Sequence, residues 1–333
     1  MESKIKSYFE KLNPIKLGLE EKIKVDKIEK LGKGLSSLNY LVNANDKKFV
    51  FRLKVDEDLP SAEREFKNLK FFQNEDFAPK VYLFDDSKKE FKFPILILSY
   101  LDGETIKEVK GFGKDQIEGL AEFLIKIHSM EIVDEMNNLP KKDYNEMVKK
   151  AERQKEVFGK YCKDEKFAKM MDNAYADLLK KYDNYNFPSE IVLAHGDFCS
   201  VNVLFNQNKY YLIDFEDLEL SDPACEIAHI FIDFGTPFDE KNKKIFLDKY
   251  LEFRSEKNLK ERVEKYAILW FLSGMYWGFV QLYKTLNNSF LEEYKEKKDV
   301  EIAISNEKIF LKKLIKMGVI SEAILDFDFT KIF

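Results

Sequence analysis

Apolar and polar residues alternate with a period of two over much of the first third of the chain. Residues 24–31 (KVDKIEKL), 38–43 (LNYLVN) and 48–55 (KFVFRLKV) read as strands. Gly32-Lys33-Gly34 separates the first two, and Asn45-Asp46 is a turn between the second and third. A short amphipathic helix over 3–12 precedes them and ends before Pro14. After Pro60 the spacing of Phe66, Leu69 and Phe72 predicts a helix over 61–73, and 80–85 and 94–101 predict two further strands. Asp102-Gly103 breaks the pattern. Beyond it, 115–130, 143–181, 222–234, 239–254, 259–286 and 299–316 carry helical periodicity with Lys/Glu outer faces. Only 190–214 interrupts them, with the short strand-like pieces IVLAH, VLF and KYYLID. The expected class is α+β, with a small antiparallel-sheet lobe over 1–101 and a larger, mainly helical lobe over 102–333.

Composition narrows the function classes. With 333 residues the chain is long enough for a substantial core without disulfide or metal staples. Its 55 Lys and Arg against 60 Asp and Glu leave a net charge of −5, which lacks the basic footprint of a nucleic-acid binder. A mean hydropathy of −0.41 and the absence of an apolar run of about 18 residues exclude a membrane span. Cys162, Cys199 and Cys225 are odd in number and have no CxxC spacing, which fits a reduced, cytoplasmic protein. The charged N-terminus has no continuous apolar segment of the secretory type. His128, His195 and His229 are too scattered to suggest a multi-histidine metal centre. Oligomeric state is not legible.

The densest chemistry lies in 193–216, LAHGDFCSVNVLFNQNKYYLIDFE. An apolar strand delivers His195-Gly196-Asp197 into a loop, Asn202 follows, and Asp214 ends another apolar strand. Two carboxylates and an amide on adjacent loops are hard oxygen ligands of the kind Mg²⁺ takes alongside phosphates and water. A carboxylate not bound to metal can accept the hydrogen bond of an attacking hydroxyl, and this division of labour is that of phosphoryl transfer. The run HGDFCSVN followed by IDFE resembles the aminoglycoside phosphotransferase and choline kinase superfamily, small-molecule kinases related to the protein kinases. The resemblance implies a protein-kinase-like two-lobed fold, with ATP (GTP not excluded) and Mg²⁺ as cofactors. It implies Asp197 as catalytic base, Asn202 and Asp214 as metal ligands, and His195 as a loop brace.

The rest of the chain follows the same order. LGKGLSSLNYLV is a Gly loop between strands, in which Gly32, Gly34, Ser36 and Ser37 would cover phosphates, although no Walker motif occurs. In FVFRLKV, Arg52 stands where the family has its α/β-phosphate cation, and choline-type kinases commonly have Arg there; Lys54 points the same way. Glu65 is the expected partner of that cation, with Glu63 the competitor. ILILSYLDGE resembles the hinge, with backbone groups of Ser99 and Leu101 facing adenine. His128, Asp222 and Glu226 are expected to be structural, Asp222 as a helix N-cap or loop brace.

The acceptor side carries the weakest signal. AILWFLSGMYWGFVQLYK resembles a late helix of choline and ethanolamine kinases, where aromatic rings cage the amino alcohol by cation–π attraction. Trp270, Tyr276 and Trp277, with Glu216, are the candidate substrate residues. The expected activity is transfer of the ATP γ-phosphoryl to a hydroxyl of a small, cationic acceptor, either a choline- or ethanolamine-like amino alcohol or an aminoglycoside. The alternatives are a catalytically silent nucleotide-binding module, or a kinase of a neutral sugar or homoserine-like hydroxyl. A protein kinase is disfavoured, because the run from Asp214 to the helix near residue 222 leaves little room for an activation loop.

Overall fold

A computed structural model describes all residues except 32–36, 56–61, 182–189, 234–237 and 288–299. It divides into two units, Met1–Lys126 with His195–Leu218 and Gly235–Lys249, and Ile127–Ala194 with Glu219–Phe234 and Tyr250–Phe333.

The first unit is built on a five-stranded antiparallel sheet in the order β1-β2-β3-β5-β4, with β1 Val25–Leu31, β2 Ser37–Ala44, β3 Lys47–Lys54, β4 Val81–Asp85 and β5 Ile95–Ser99. Asn45 and Asp46 both take positive φ (47° and 60°), the turn geometry that matches the twist of a two-residue hairpin. The alternation in β3 then separates two kinds of side chain. Phe49, Phe51 and Leu53 are buried on one face; the rings of Phe49 and Phe51 meet Phe9 of helix α1 (Glu2–Lys11) at 6.1 and 6.2 Å. Tyr8 of α1 also ties down β4, its hydroxyl donating to Asp85 at 2.7 Å. The opposite face of β3 carries Arg52 and Lys54, also buried, which demands partners. Helix α2 (Ala62–Lys70) supplies one, and its Phe66 stacks on Phe84 of β4 at 5.4 Å.

This unit contains a second, three-stranded sheet in the order β10-β9-β6, from Glu104–Thr105 (β6), Val203–Asn206 (β9) and Lys209–Leu212 (β10). Gln207 and Asn208, both at positive φ, close the β9–β10 hairpin. Helix α3 (Lys114–His128) covers it: the Tyr210 hydroxyl donates to the Gln116 carbonyl at 2.6 Å, and Tyr210 stacks on Phe123.

The second unit is mainly helical. Its short sheet joins β7 (Lys141–Lys142), β11 (Glu219–Ser221) and β8 (Val192–Ala194); β8 is the strand-like piece IVLAH, whereas β7 and β11 were not legible in strands of two or three residues. The helices are α4 (Tyr144–Tyr161), α5 (Glu165–Lys181), α6 (Pro223–Ile232), α8 (Leu259–Leu286) and α9 (Val300–Lys316). Helix α7 (Glu240–Phe253) carries the chain across the boundary between the units. The single helix expected over 143–181 is two. Asp164 caps α5 by accepting from the Phe167 amide at 3.0 Å, and the amides of Lys163 and Asp164 donate to the Ile332 carbonyl. Gly159 in the last turn of α4 is a weak signal for that break; the cap residue and the C-terminal segment make it.

Candidate active site

Arg52 on β3 is the centre of the charged cluster in the first unit. Its Nη1 donates to Glu65 of α2 and, at 3.0 Å, to Asp214 Oδ1, while its Nε donates to Asn39 Oδ1 at 3.0 Å. The competitor Glu63 instead pairs with exposed Lys67. Lys54, two residues along the same face, pairs with Glu216. Burial alone would lower the Arg52 guanidinium, but Glu65 and Asp214 outweigh it and hold its pKa above the ordinary value. Burial does lower that of Lys54.

The loop 195–202 presents the other polar groups. Gly196 takes φ 82°, and a Cβ there would overlap the Asp217 carbonyl, so only glycine lets the two segments touch. The Asp197 amide donates to His195 Nδ1 at 3.3 Å, and the His195 ring meets the edge of Phe215 at 4.9 Å. His195 is fully buried and braces the loop from beneath. Asn202 Nδ2 donates to Asp197 Oδ2 at 2.7 Å and to the Asp197 carbonyl at 3.0 Å. The Asn202 carbonyl accepts from the Ile213 amide at 3.0 Å, joining this loop to the strand that ends at Asp214.

Asp214 sits in the left-handed region (φ 69°, ψ 63°), which turns its carboxylate back toward β3. Burial would raise its pKa, but Arg52, Lys54 and His195 outweigh burial and hold it below the usual carboxylate range. Carboxylate oxygens of Glu65, Asp214 and Glu216 lie within 4.8 Å of one another. That is a hard-oxygen donor set, suited to a small divalent cation beside phosphates. The Asn202 side-chain NH₂ is committed to Asp197, which leaves its Oδ1 as the acceptor end of the amide.

The structure therefore brings Arg52, Glu65, Asp214 and Glu216 into one cluster and pairs Asn202 with Asp197. Glu216, a candidate acceptor residue, is instead engaged by Lys54. Gly32, Gly34 and Ser36 lie outside the described residues, and Ser37 is buried at the start of β2 opposite Lys54. The Ser99 amide donates to the Lys80 carbonyl and its hydroxyl accepts from the Lys80 amide, so its N–H is not open to a base. Leu101 makes no backbone bond with a described residue, which leaves it the more available of the two.

In the second unit Trp270 is buried. Its Nε1 donates to the Cys225 carbonyl at 2.9 Å, His229 stacks on its ring at 3.8 Å, and Lys142 and Lys150 lie over the ring. Tyr276 is a core residue whose hydroxyl donates to the Met171 carbonyl at 3.2 Å. Neither ring is open to an acceptor; Trp277 is the half-exposed one of the three. His128 bonds Tyr250 and Glu226, and Asp222 caps α6 and pairs with buried Arg262, all structural as expected.

The sequence motifs missed Asn39, Arg64 and Asn68. Arg64 Nε donates to the Glu216 carbonyl at 2.6 Å and its Nη2 to Asp217 at 2.7 Å, while Asn68 Nδ2 donates to the Phe215 carbonyl at 2.7 Å. The only sequence signal was the charge run around Glu65.

A profile of the phosphotransferase enzyme family matches residues 27–264. The chain belongs to this family. The phosphotransferase is 24% identical over 208 residues to the protein LicA homolog of Mycoplasma capricolum subsp. capricolum, covering 61% of this chain and 75% of the relative. Its fold resembles that of a choline/ethanolamine kinase family protein from Mesorhizobium loti (TM-score 0.66, 15% identity, 98% of this chain and 99% of that one). It also resembles a Plasmodium vivax ethanolamine kinase (TM-score 0.61, 18% identity, 86% and 83%) and a spectinomycin phosphotransferase bound to ADP and spectinomycin (TM-score 0.63, 15% identity, 89% and 94%). The phosphotransferase thus has the protein-kinase-like fold expected of it, and is an ATP-dependent small-molecule kinase acting on a hydroxyl group. No helix among its described residues is long and apolar enough to cross a membrane.

Proposed function

We propose that this phosphotransferase transfers the γ-phosphoryl of ATP to the hydroxyl of a small cationic acceptor of the amino-alcohol class, choline or ethanolamine in type. The reading of the reaction is carried by one observation: Arg52 joins Glu65 to Asp214, in a unit where Asn202 holds Asp197. Asp197 orients the acceptor hydroxyl and takes its proton, and the Asn202 amide fixes its carboxylate for that task. Arg52 neutralises the α- and β-phosphates and is itself kept in place by Glu65. Asp214 and Asn202 would hold Mg²⁺, which when bound supplies charge neutralisation on the phosphates. The residues Gly32 to Ser37 are proposed to cover the phosphates and Leu101 to receive the adenine.

The amino-alcohol assignment draws on the choline/ethanolamine kinase family protein matched over nearly the full length of both chains. An aminoglycoside acceptor is the second reading, supported by the likeness to the spectinomycin phosphotransferase. Coupled ADP-release assays across choline, ethanolamine, aminoglycosides, homoserine and neutral sugars separate them: turnover should be confined to the amino alcohols. Selective turnover of a neutral sugar would remove the cationic-acceptor reading. Asp197→Asn should reduce transfer by about 10²-fold or more while leaving Mg-ATP affinity near wild type; wild-type turnover in that variant would defeat the base assignment.

A further inference from the structure

Asp214 adopts a left-handed backbone conformation, which Asp tolerates better than most residues with a Cβ, so the direction of its carboxylate depends on what holds the turn. The residues that follow Asp214 show what does. Helix α2 bonds to three consecutive residues: Asn68 to the Phe215 carbonyl, Arg64 to the Glu216 carbonyl, and Arg64 again to the Asp217 carboxylate. Phe72, just beyond the helix, packs its ring 4.7 Å from that of Phe215. On the other side, the Asp217 carbonyl is pressed against Gly196 of the catalytic loop. The turn 215–217 is thus gripped from both sides. Glu65, which engages Arg52, lies on α2 between the residues that do the gripping.

We infer that Arg64 and Asn68 are positioning residues that set the orientation of Asp214 and hence the affinity of the site for its divalent cation. Neither side chain belongs to the donor cluster; both act on it through the backbone of the turn. Two features distinguish this from general helix packing. Arg64 is half-exposed and adds little apolar burial, yet places two donors on adjacent residues. Asn68 is buried and spends its amide on a main-chain carbonyl one residue after Asp214. Because the same helix carries Glu65, the cation on β3 and the carboxylate after β10 are registered to each other by one rigid element.

The inference rests on the proposed role of Asp214 in holding metal, so the experiment includes Asp214→Asn as a reference. Mn²⁺ binding in the presence of ADP, followed by the loss of free-ion signal in electron paramagnetic resonance, reads the site without turnover. Arg64→Met and Asn68→Ala should each weaken Mn²⁺ binding about tenfold or more, the range found when an outer partner of a metal ligand is removed. Arg64→Lys, which keeps the charge but not the two-pronged geometry, should fall between them and wild type. Lys67→Met, on the exposed side of the same helix, should bind as wild type. The KM for the acceptor should stay unchanged in all four. Should Arg64→Met fail to fold by circular dichroism, Arg64→Lys and Asn68→Ala carry the test. Wild-type Mn²⁺ affinity in folded Arg64→Met or Asn68→Ala, with affinity lost in Asp214→Asn, overturns the inference. Wild-type affinity in Asp214→Asn overturns the metal assignment itself.

Discussion

Arg52 answers to two carboxylates at once, and this shapes how the site responds to acid. Its guanidinium, with the charge of Lys54, holds Asp214 ionised below the usual carboxylate range against the opposing effect of burial. In Arg52→Met the balance reverses. The Asp214 pKa rises, so the acid limb of the kcat/KM profile should move to higher pH. Turnover at neutral pH should fall by roughly 10²–10³-fold, as on removing a donor that stabilises developing charge. A pH–rate profile checks both; an unmoved acid limb would separate Arg52 from the ionisation of Asp214. Strand alternation put Arg52 and Lys54 on one face and helical spacing favoured Glu65, and the family resemblance singled out Arg52 and Glu65 among these. The Lys54–Glu216 pair was not legible, because long flexible side chains 162 positions apart leave no trace in local spacing. Arg64 and Asn68 escaped for a related reason: their partners include main-chain carbonyls, which every residue has.

At the scale of the element, helices α8 and α9 show what periodicity conveys and what it hides. The span of α8, 259–286, was readable to the residue, because a long run of apolar and aromatic residues without Pro is bounded by charged turns at 260–265 and by Lys284 near its end. Which rings were free to meet a ligand was not, since burial of Trp270 and Tyr276 depends on α4, α5 and α6. The contact with α9 adds a cost. Phe310 and Glu307 lean on the small residues Gly274 and Gly278, and Glu307 is only 3% exposed. Glu307 Oε2 has no hydrogen-bond partner among the described residues, and burial pushes the carboxyl well above its ordinary value of 4.5. The unfolded chain therefore releases this proton at lower pH than the folded one, so the term destabilises the fold progressively as pH rises above about 4.5. Glu307→Met should stabilise the protein by about 1–3 kcal/mol at neutral pH and by little at pH 4. Thermal denaturation of both proteins across that range tests it; equal gains at both pH values would refute the assignment to ionisation.

For the molecule as a whole, the broad order of elements was legible: a strand-rich first third, then helices with one embedded hairpin segment. The short strands β6, β7 and β11 and the break at 162–164 were not, because each is fixed by a distant partner. Neither unit is continuous in sequence, and the first includes His195–Leu218 and Gly235–Lys249. Its second sheet pairs Glu104 and Thr105 with β9, and α2 spends Asn68 and Arg64 on the turn after Asp214. A fragment ending at Leu101 would leave those donors without partners and the Phe72 ring without Phe215. It should show broad, weakly cooperative unfolding and fast amide exchange in α2. A sharp two-state transition in the fragment would show that residues 1–101 suffice.

That interleaving also sets an order of events during synthesis. The sheet of β1 to β5 leaves the ribosome well before the segment that its helix α2 must grip. At about 5–20 residues per second, the 92 residues from Lys126 to Leu218 occupy roughly 5–20 s. Through that interval Asn68 and Arg64 of α2 and Lys54 of β3 wait for partners not yet made. The nascent chain is then most exposed to proteolysis and most dependent on chaperones, and rare codons between 127 and 194 would lengthen the wait without changing a single residue.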